Sequence, residues 1–534
     1  MTAAPSPAGP LRRSRAAEAL SPRATQALIR RNLCAWAQQQ KQAPATCLSA
    51  LDEVLPPLTS RNDVDVEIYA LLAIVVRDFV RTWYGGITPD EDFYGEVVHL
   101  VAHCTRALEQ RLRKLDVEAL LLHDLAEIVD QHVQAYRAAH GSVGHQPRVD
   151  GRGAYHALVP LPFLVPVPPD GQDEEASGQD EDKTNLDEAA RDKEASDQDE
   201  AAHDKEASDQ DKEPSDQDKD QLRNNEAMHS QLLVQAALAV LLPTEDLENP
   251  CLTALVSHLL SDLVIGALVV EKATQPWLLL EAICSLSAAL RSKQPPPPWQ
   301  DDASTRRPSR ILALVHALVH AALCLVALAR WLLAFTALAP SLPPRRSSSS
   351  TAVLDFAAWR CAANLLELRG RKPWLTGLLD LCRCAAVHGP GRLAGLHGSL
   401  DRLLSHHIHT LLSPSLIAPS LRSLRGLVFP NNAPLGPSSL RAPENLDALR
   451  RRAAAALAAL VPNALGRIYF GPCWSPSSPL PDAVLDHVEH LLAVLDDQYC
   501  NKHLVYSIIH LFLVKLLPEL EEKGVVDLWA ERLG

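Results

Sequence analysis

The stretch Arg77-Asp78-Phe79-Val80-Arg81-Thr82-Trp83-Tyr84, followed by Gly85-Gly86 and Ile87-Thr88-Pro89-Asp90, closes a run with one clear period. Ile68, Leu71, Leu72, Val75, Val76, Phe79 and Val80 recur at three- and four-residue spacing, which lines one face of a helix. Asp63 or Asp65 can cap its start, and the glycine pair is expected to end it. Thr88 then opens a new helix, with Pro89 at the first helical position and Glu91 three residues after Thr88, as in a capping box. Helices over about 92–114 and 117–139 follow. Outward from there the pattern predicts helices near 28–40, 47–55, 226–242, 249–273, 276–290, 351–368, 373–387, 391–412, 444–460, 481–498 and 500–521. A long Pro/Ser/Asn loop is expected at 413–443. Apolar residues make up 47% and aromatics only 5%; Leu and Ala dominate, and both favour helix. Period-2 alternation of Val, Ile and aromatics is almost absent, so the class read is all-α.

At 534 residues the chain is too long for one compact core, and two or more domains are expected. Its net charge of −14 is concentrated in one place. Residues 170–226 hold 23 Asp/Glu and 7 Lys/Arg, a net of −16, which leaves about +2 for everything else. No broad basic field for nucleic acid remains. That acidic stretch repeats Asp-Lys-Glu-Ala-Ser-Asp-Gln at 192–198 and 204–210, then Asp-Lys-Glu-Pro-Ser-Asp-Gln at 211–217. It has too few apolar residues to offset the entropy of ordering, so a disordered insert is expected. Ser196, Ser208 and Ser215, each followed by acidic residues, have the context acidophilic kinases use. Residues 1–22 read as disordered and without a secretory signal. Eleven cysteines, scattered through apolar helical runs, read as reduced thiols facing the cytosol.

The opening string resembles the PX-associated (PXA) domain of sorting-nexin-type trafficking proteins. Arg77, Asp78, Phe79, Trp83, Tyr84 and Pro89 carry the resemblance. It continues through Lys114-Leu115-Asp116, the run Leu120–Leu125 with Asp124, His132, Tyr136-Arg137 and Tyr155–Leu158. Where the family usually carries a His-Pro pair, this chain has Leu161-Pro162. Beyond the insert, Leu241-Leu242-Pro243, Asp246-Leu247-Glu248 and Pro276-Trp277 resemble the second half of the same domain. The insert therefore interrupts one domain, read as 23–290. The stretch Tyr499–Tyr506, with Pro518-Glu519-Leu520 and Lys523-Gly524, resembles the end of fungal PXA-only proteins, and 351–534 is expected to form a helical companion domain. No phosphate-reading Arg pair beside an aromatic and no Pro-Pro-Lys loop is present, so a PX lipid-reading module is not expected. The resemblance implies association with endosomal, vacuolar or endoplasmic-reticulum membranes, on their cytosolic face, and lipid binding in a helical groove.

Between the Pro-rich linker 291–310 and the linker 340–350 lies the most apolar segment, 311–339. Ile311–Ala329 has no Asp, Glu, Lys or Arg for about 19 residues, close to the roughly 20 needed to span a bilayer. Ile311, Leu314, Leu318, Leu325, Trp331 and Phe335 mark it as a candidate membrane segment. His316 and His320 lie one turn apart, and Arg306, Arg307, Arg310, Arg345 and Arg346 flank both ends, a symmetry that sets no orientation. The same pattern suits an interfacial helix or a helix buried in a bundle.

Catalytic and metal signatures are weak. Cys382-x-Cys384 with His388 lacks the second pair that closes a structural zinc tetrahedron, and core cysteines are the simpler reading. His406, His407 and His409 read as solvent-facing residues near a helix end. His487 and His490 lack the His-Glu-x-x-His pattern, and no nucleophile elbow, phosphate loop or dinucleotide fingerprint occurs. Asp78 and Asp124 read as capping and helix–helix partners. The expectation is a non-enzymatic module with no cofactor, no metal and no nucleic-acid partner. Its partners are membrane lipids and other trafficking proteins. A soluble helical scaffold that binds a protein through Leu-rich grooves is the second reading.

Overall fold

The computed structural model describes residues 18–34, 54–88, 92–141, 151–165, 216–292, eight positions between 315 and 330, and most of 341–533. Within 341–533 the description omits 342, 346, 390–391, 434–444, 472–473 and 475–479. The described residues are 80% helical, with no strand among them. Longer helices are α1 (Pro22–Leu33), α2 (Asn62–Val75), α3 (Asp92–Leu112), α4 (Leu125–His140), α5 (Gly151–Leu158) and α6 (Asp216–Leu241). After them come α7 (Pro250–His258), α8 (Pro276–Ser292), α9 (Ala357–Leu365), α10 (Pro373–His388), α11 (Ser399–Leu411) and α12 (Ile417–Val428). The last are α13 (Leu446–Ala458), α14 (Asn463–Phe470), α15 (Asp482–Leu492), α16 (Gln498–Leu516) and α17 (Val525–Leu533).

Local chemistry explains most boundaries. Ser21 caps α1 through its side chain, and Pro22 fills the first position, so α1 begins six residues before the expected Leu28. The predicted helix through 68–84 is present, but α2 passes through a π turn at Val76–Val80 into Arg81–Ile87. Gly85 and Gly86 therefore lie inside its last turn and do not end it; Thr88 is the C-cap. Glycine lowers helix propensity by only about 1 kcal/mol, which flanking packing overrides. Asp116 caps the next helix through Ala119 N–H. A second π turn, Leu120–Asp124, leads into α4, and a third, Leu259–Val270, continues α7.

The structure corrects several expectations. Helix α6 starts at Asp216, inside the third acidic repeat and ten residues before Glu226. Residues 166–215 lie outside the described residues. The expected loop 413–443 contains α12, whose Arg425 is fully buried against Glu67 of α2 at 3.2 Å and donates to Thr25 at 2.8 Å. Helix α11 begins at Ser399, not 391, because Arg392 and His397 hold positive φ in the turns before it. Helices α5, α14 and α17 stand where the sequence pattern predicts no helix. Cys382 and Cys384 are exposed and not core residues, whereas Cys34, Cys361 and Cys500 are buried.

Helices from the two ends of the chain pair with one another. α12 packs on α2, α9 and α16 pack on α4, α17 packs on α6, and α13 packs on α8. One apolar cluster joins Ile29 and Leu33 of α1 to Tyr69, Ala73 and Val76 and to Tyr94 and Val98 of α3. Another joins Leu280 of α8 to Leu449, Ala453 and Val488, with Trp277 and Ile283 packed against it. A third places Val234 and Leu238 of α6 against Val256, Leu260 and Trp529.

Candidate functional site

Small side chains set the site. Ala126 and Val129 of α4 face Ala357, Ala358 and Cys361 of α9, which lets the two helices approach closely. Arg360 of α9 then reaches Asp130 at 3.0 Å and also contacts Glu127, while Asn364 donates to Asp130 at 2.7 Å. Arg137 of α4 donates to the carbonyls of Asn364 and Leu365, two of the last acceptors of α9 that have no partner within the helix. The short helix Leu368–Arg371 turns the chain into α10. Between α9 and α10 lies a groove of about 620 Å³, a size that suits a small ligand or an acyl chain. Phe356, Trp359, Ala363, Leu366, Leu368 and Leu379 line it. His123 and Glu127 close one side from the π turn and α4. Two of its charged groups are paired, Arg360 as above and Arg383 with Asp355 at 3.4 Å, while Arg369 and Asp380 stand at its edge beside the apolar wall.

A buried polar knot holds the strap that precedes α9. Arg345 and Glu118 are fully buried side chains 2.9 Å apart, and Arg345 also approaches Asp401 at 3.4 Å. Asp401 accepts from Val353 N–H at 2.8 Å, and Ser405 of α11 donates to Glu118. Ser348 N–H and Ser349 N–H donate to Asp116 at 2.8 and 3.1 Å. The strap 343–355 is thereby held to the start of the helix that leads into α4, and His123 accepts from Ala357 N–H at 3.3 Å.

Two other places gather polar or metal-ligating side chains. A cavity of about 730 Å³ has mixed walls, with Arg223, Glu226, Asp262, Lys272 and Lys502 beside Ala267, Val270 and Trp277. His140, Asp497 and Cys500 bring three donor atoms within 4.8 Å of one another. Asp497 is already engaged, by Arg152 at 2.9 Å and by Tyr499 N–H at 2.8 Å as the N-cap of α16. Burial raises the Cys500 thiol well above its ordinary pKa, which keeps it protonated. The trio is accounted for as a helix cap beside a buried thiol.

The residues singled out in the sequence do not converge. Arg77 makes a two-pronged pair with Asp78 at 2.5 and 2.8 Å and donates to the Asn432 carbonyl at 3.0 Å. Phe79 is half-buried on the same π turn. Tyr84 stacks on Phe93 at 4.6 Å. The Trp83 side chain and Pro89 lie outside the described residues. Asp124 pairs with Lys515 of α16 at 2.8 Å. Pro276 opens α8, and Trp277 packs beside Leu280. These positions build the helical frame and its joints to the C-terminal helices. Of the candidate membrane positions, Leu318 is described and is exposed on a helix; Ile311, Leu314, Leu325, Trp331 and Phe335 lie outside the described residues. His406 and His407 are exposed as expected, and His409 sits 3.3 Å from Glu118.

The all-α class, with an interruption between α5 and α6, is joined here by a family match. Residues 61–286 match the PXA domain family, and over those residues the chain carries a PXA domain. The match runs from α2 into α8 and spans the acidic insert, so the insert lies within one domain. A PXA domain suggests a role in trafficking or membrane association. No curated protein and no solved structure matches the chain. Of the groove, only His123 and Glu127 fall inside the matched region; the rest comes from 354–386. Sequence reasoning missed it, since the 3.6-residue period of 373–387 marks a helix and not which neighbour it leaves a gap against.

Proposed function

We propose that this protein is a non-enzymatic membrane module of intracellular trafficking. It acts at the cytosolic face of endosomal, vacuolar or endoplasmic-reticulum membranes, held by 311–339, with a lipid acyl chain between α9 and α10. The observation that carries the reading is an apolar stripe. Val315, Leu318, Val319, Leu323 and Val326 are helical, fall at helical spacing, and are each at least half exposed. Apolar residues in that arrangement, on a segment with no charge from Ile311 to Ala329, suit hydrocarbon better than water. Among the described residues one helix, Pro250–Ala267, is long and apolar enough to cross a bilayer. Val256, Leu260 and Ile265 of that stretch pack on α6, which supports a place for it in the bundle.

Carbonate washing of membranes from cells expressing the full chain tests the embedding. The protein is expected in the pellet, and deletion of 311–339 is expected to release it. A full chain that stays in the wash supernatant would overturn the reading. For the groove, lipid extraction and mass spectrometry on the purified full chain should recover acyl lipid, and Ala363→Trp, which fills the cavity, should reduce it. Lipid content equal in the two proteins, or absent from the wild type, would count against acyl-chain binding.

A further inference from the structure

Helix α10 is turned the wrong way for a helix on a soluble protein. At 100° per residue, Trp374, Gly377, Leu378, Leu381, Cys384, Ala385 and His388 share one face. That face carries no Asp, Glu, Lys or Arg. Of the two charged residues of α10, Arg383 lies on the opposite side and Asp380 borders the face about 40° beyond Cys384; both line the α9–α10 groove. All seven residues of the first face are exposed, Trp374 at 60%, Leu378 at 48% and Leu381 at 67%. The groove side is open too, with Leu379 and Cys382 exposed and Val387 alone buried, whereas an amphipathic surface helix buries an apolar face. Immediately before α10 lie Arg369, Arg371 and Lys372. Arg371 pairs weakly with Glu367 at 3.7 Å; among the described residues Arg369 and Lys372 have no carboxylate partner.

We propose that this outer face of α10 docks on an anionic bilayer surface, with Trp374, Leu378 and Leu381 in the interface and the basic run 369–372 against lipid phosphate and carboxylate groups. The proposal rests on the membrane reading above but concerns a second contact, separate from 311–339. Three features select a lipid surface over a protein partner. The face is uncharged over a helix about 24 Å long. A tryptophan stands at the junction between that face and the basic run, where its ring suits the headgroup level. The surplus charge is positive, complementary to the cytosolic leaflet.

Flotation of the purified full chain with phosphatidylcholine vesicles, with and without added phosphatidylserine, tests this at low and high salt. Phosphatidylserine is expected to increase the bound fraction and high salt to remove that increase. The triple variant Trp374→Gln, Leu378→Gln, Leu381→Gln and the double variant Arg369→Glu, Lys372→Glu should each lower the phosphatidylserine-dependent partition by about tenfold or more. The melting temperature of the triple variant should stay at or above that of the wild type, since an exposed face loses no packing. Unchanged partition in both variants would overturn the proposal. So would a melting temperature several degrees lower, which would place the face inside the protein. So would self-association of the wild type that the triple variant abolishes without any change in vesicle binding. The embedding reading fails separately: its signature is a carbonate-resistant, salt-insensitive fraction that depends on 311–339 and not on α10.

Discussion

Buried charges and rings make the sharpest demands on single residues. Arg345, Glu118 and Asp401 have no solvent to return to, and loss of Arg345 removes the cation that both carboxylates face. Arg345→Ala is therefore expected to lower the unfolding free energy by about 3–5 kcal/mol, read as a lower urea midpoint. The triple change Arg345→Met, Glu118→Gln and Asp401→Asn, which removes all three charges, should cost much less; equal losses in the two proteins would argue against a charge-based penalty. A Cβ at Gly466 would run into the Trp474 ring, which stacks on Phe470 at 5.3 Å. Gly466→Ala should cost about 1–3 kcal/mol, and a neutral result would mean that the ring can move aside. His132 and His503 are buried near-completely and held neutral, each with its pKa lowered from 6.5 to about 4 chiefly by desolvation. For His503 the neighbouring His156 adds to the depression and the Val159 carbonyl opposes it. The unfolded chain takes up these protons near pH 6.5 and the folded chain only near pH 4. Their stability is therefore present above pH 6.5 and is lost as pH falls towards 4. Each should remove on the order of 1–2 kcal/mol by pH 5. Melting temperature should fall across that window, with a shallower slope in His503→Phe, a ring that can keep the contacts to Tyr155 and Tyr499 at 5.3 and 4.8 Å. An identical slope in the variant would exclude His503 as a contributor.

At the scale of elements, periodicity and capping located most helices, because an apolar stripe and a Ser, Asp or Asn cap are local properties of the chain. The failures have physical causes. Helix α12 was hidden by Pro419, Ser415 and Ser423, although Arg425 and Arg422 hold it to Glu67 through contacts more than 350 residues away in sequence. The repeat that reads as solvated spacer becomes helix at Asp216, ahead of the apolar residues that anchor α6 on α7 and α17. Cys382 and Cys384 read as core because apolar helices normally face inward, and α10 does not. The family string was readable and named the domain, but its residues are scattered through the frame. The groove depends on the gap between α9 and α10, which no local pattern records.

On the scale of the whole molecule, the family match ends where packing does not. Helices α9, α13, α16 and α17 cover apolar faces of α4, α6 and α8. Residues 54–292 expressed alone should therefore expose Ala126, Val129, Val234, Leu238, Leu280 and Ile283 to water, and should aggregate or bind an apolar dye. Co-expression with 343–533 should restore a monodisperse complex. A monomeric 54–292 with a cooperative melt would show that the matched region is self-sufficient.

The pairing of early with late helices also has a consequence for synthesis. Helix α4 leaves the ribosome long before α16, the helix whose Lys515 meets its Asp124. At about 5–20 residues per second, the nascent chain waits roughly 20–75 s with that joint open. During this interval the apolar faces of the first half stay available to chaperones, and the acidic insert between α5 and α6 lends solubility to a chain whose net charge is otherwise near zero. Arrested nascent chains ending before Gln498 should accordingly carry more bound chaperone than chains ending after Leu533, and deletion of 170–215 should widen that difference.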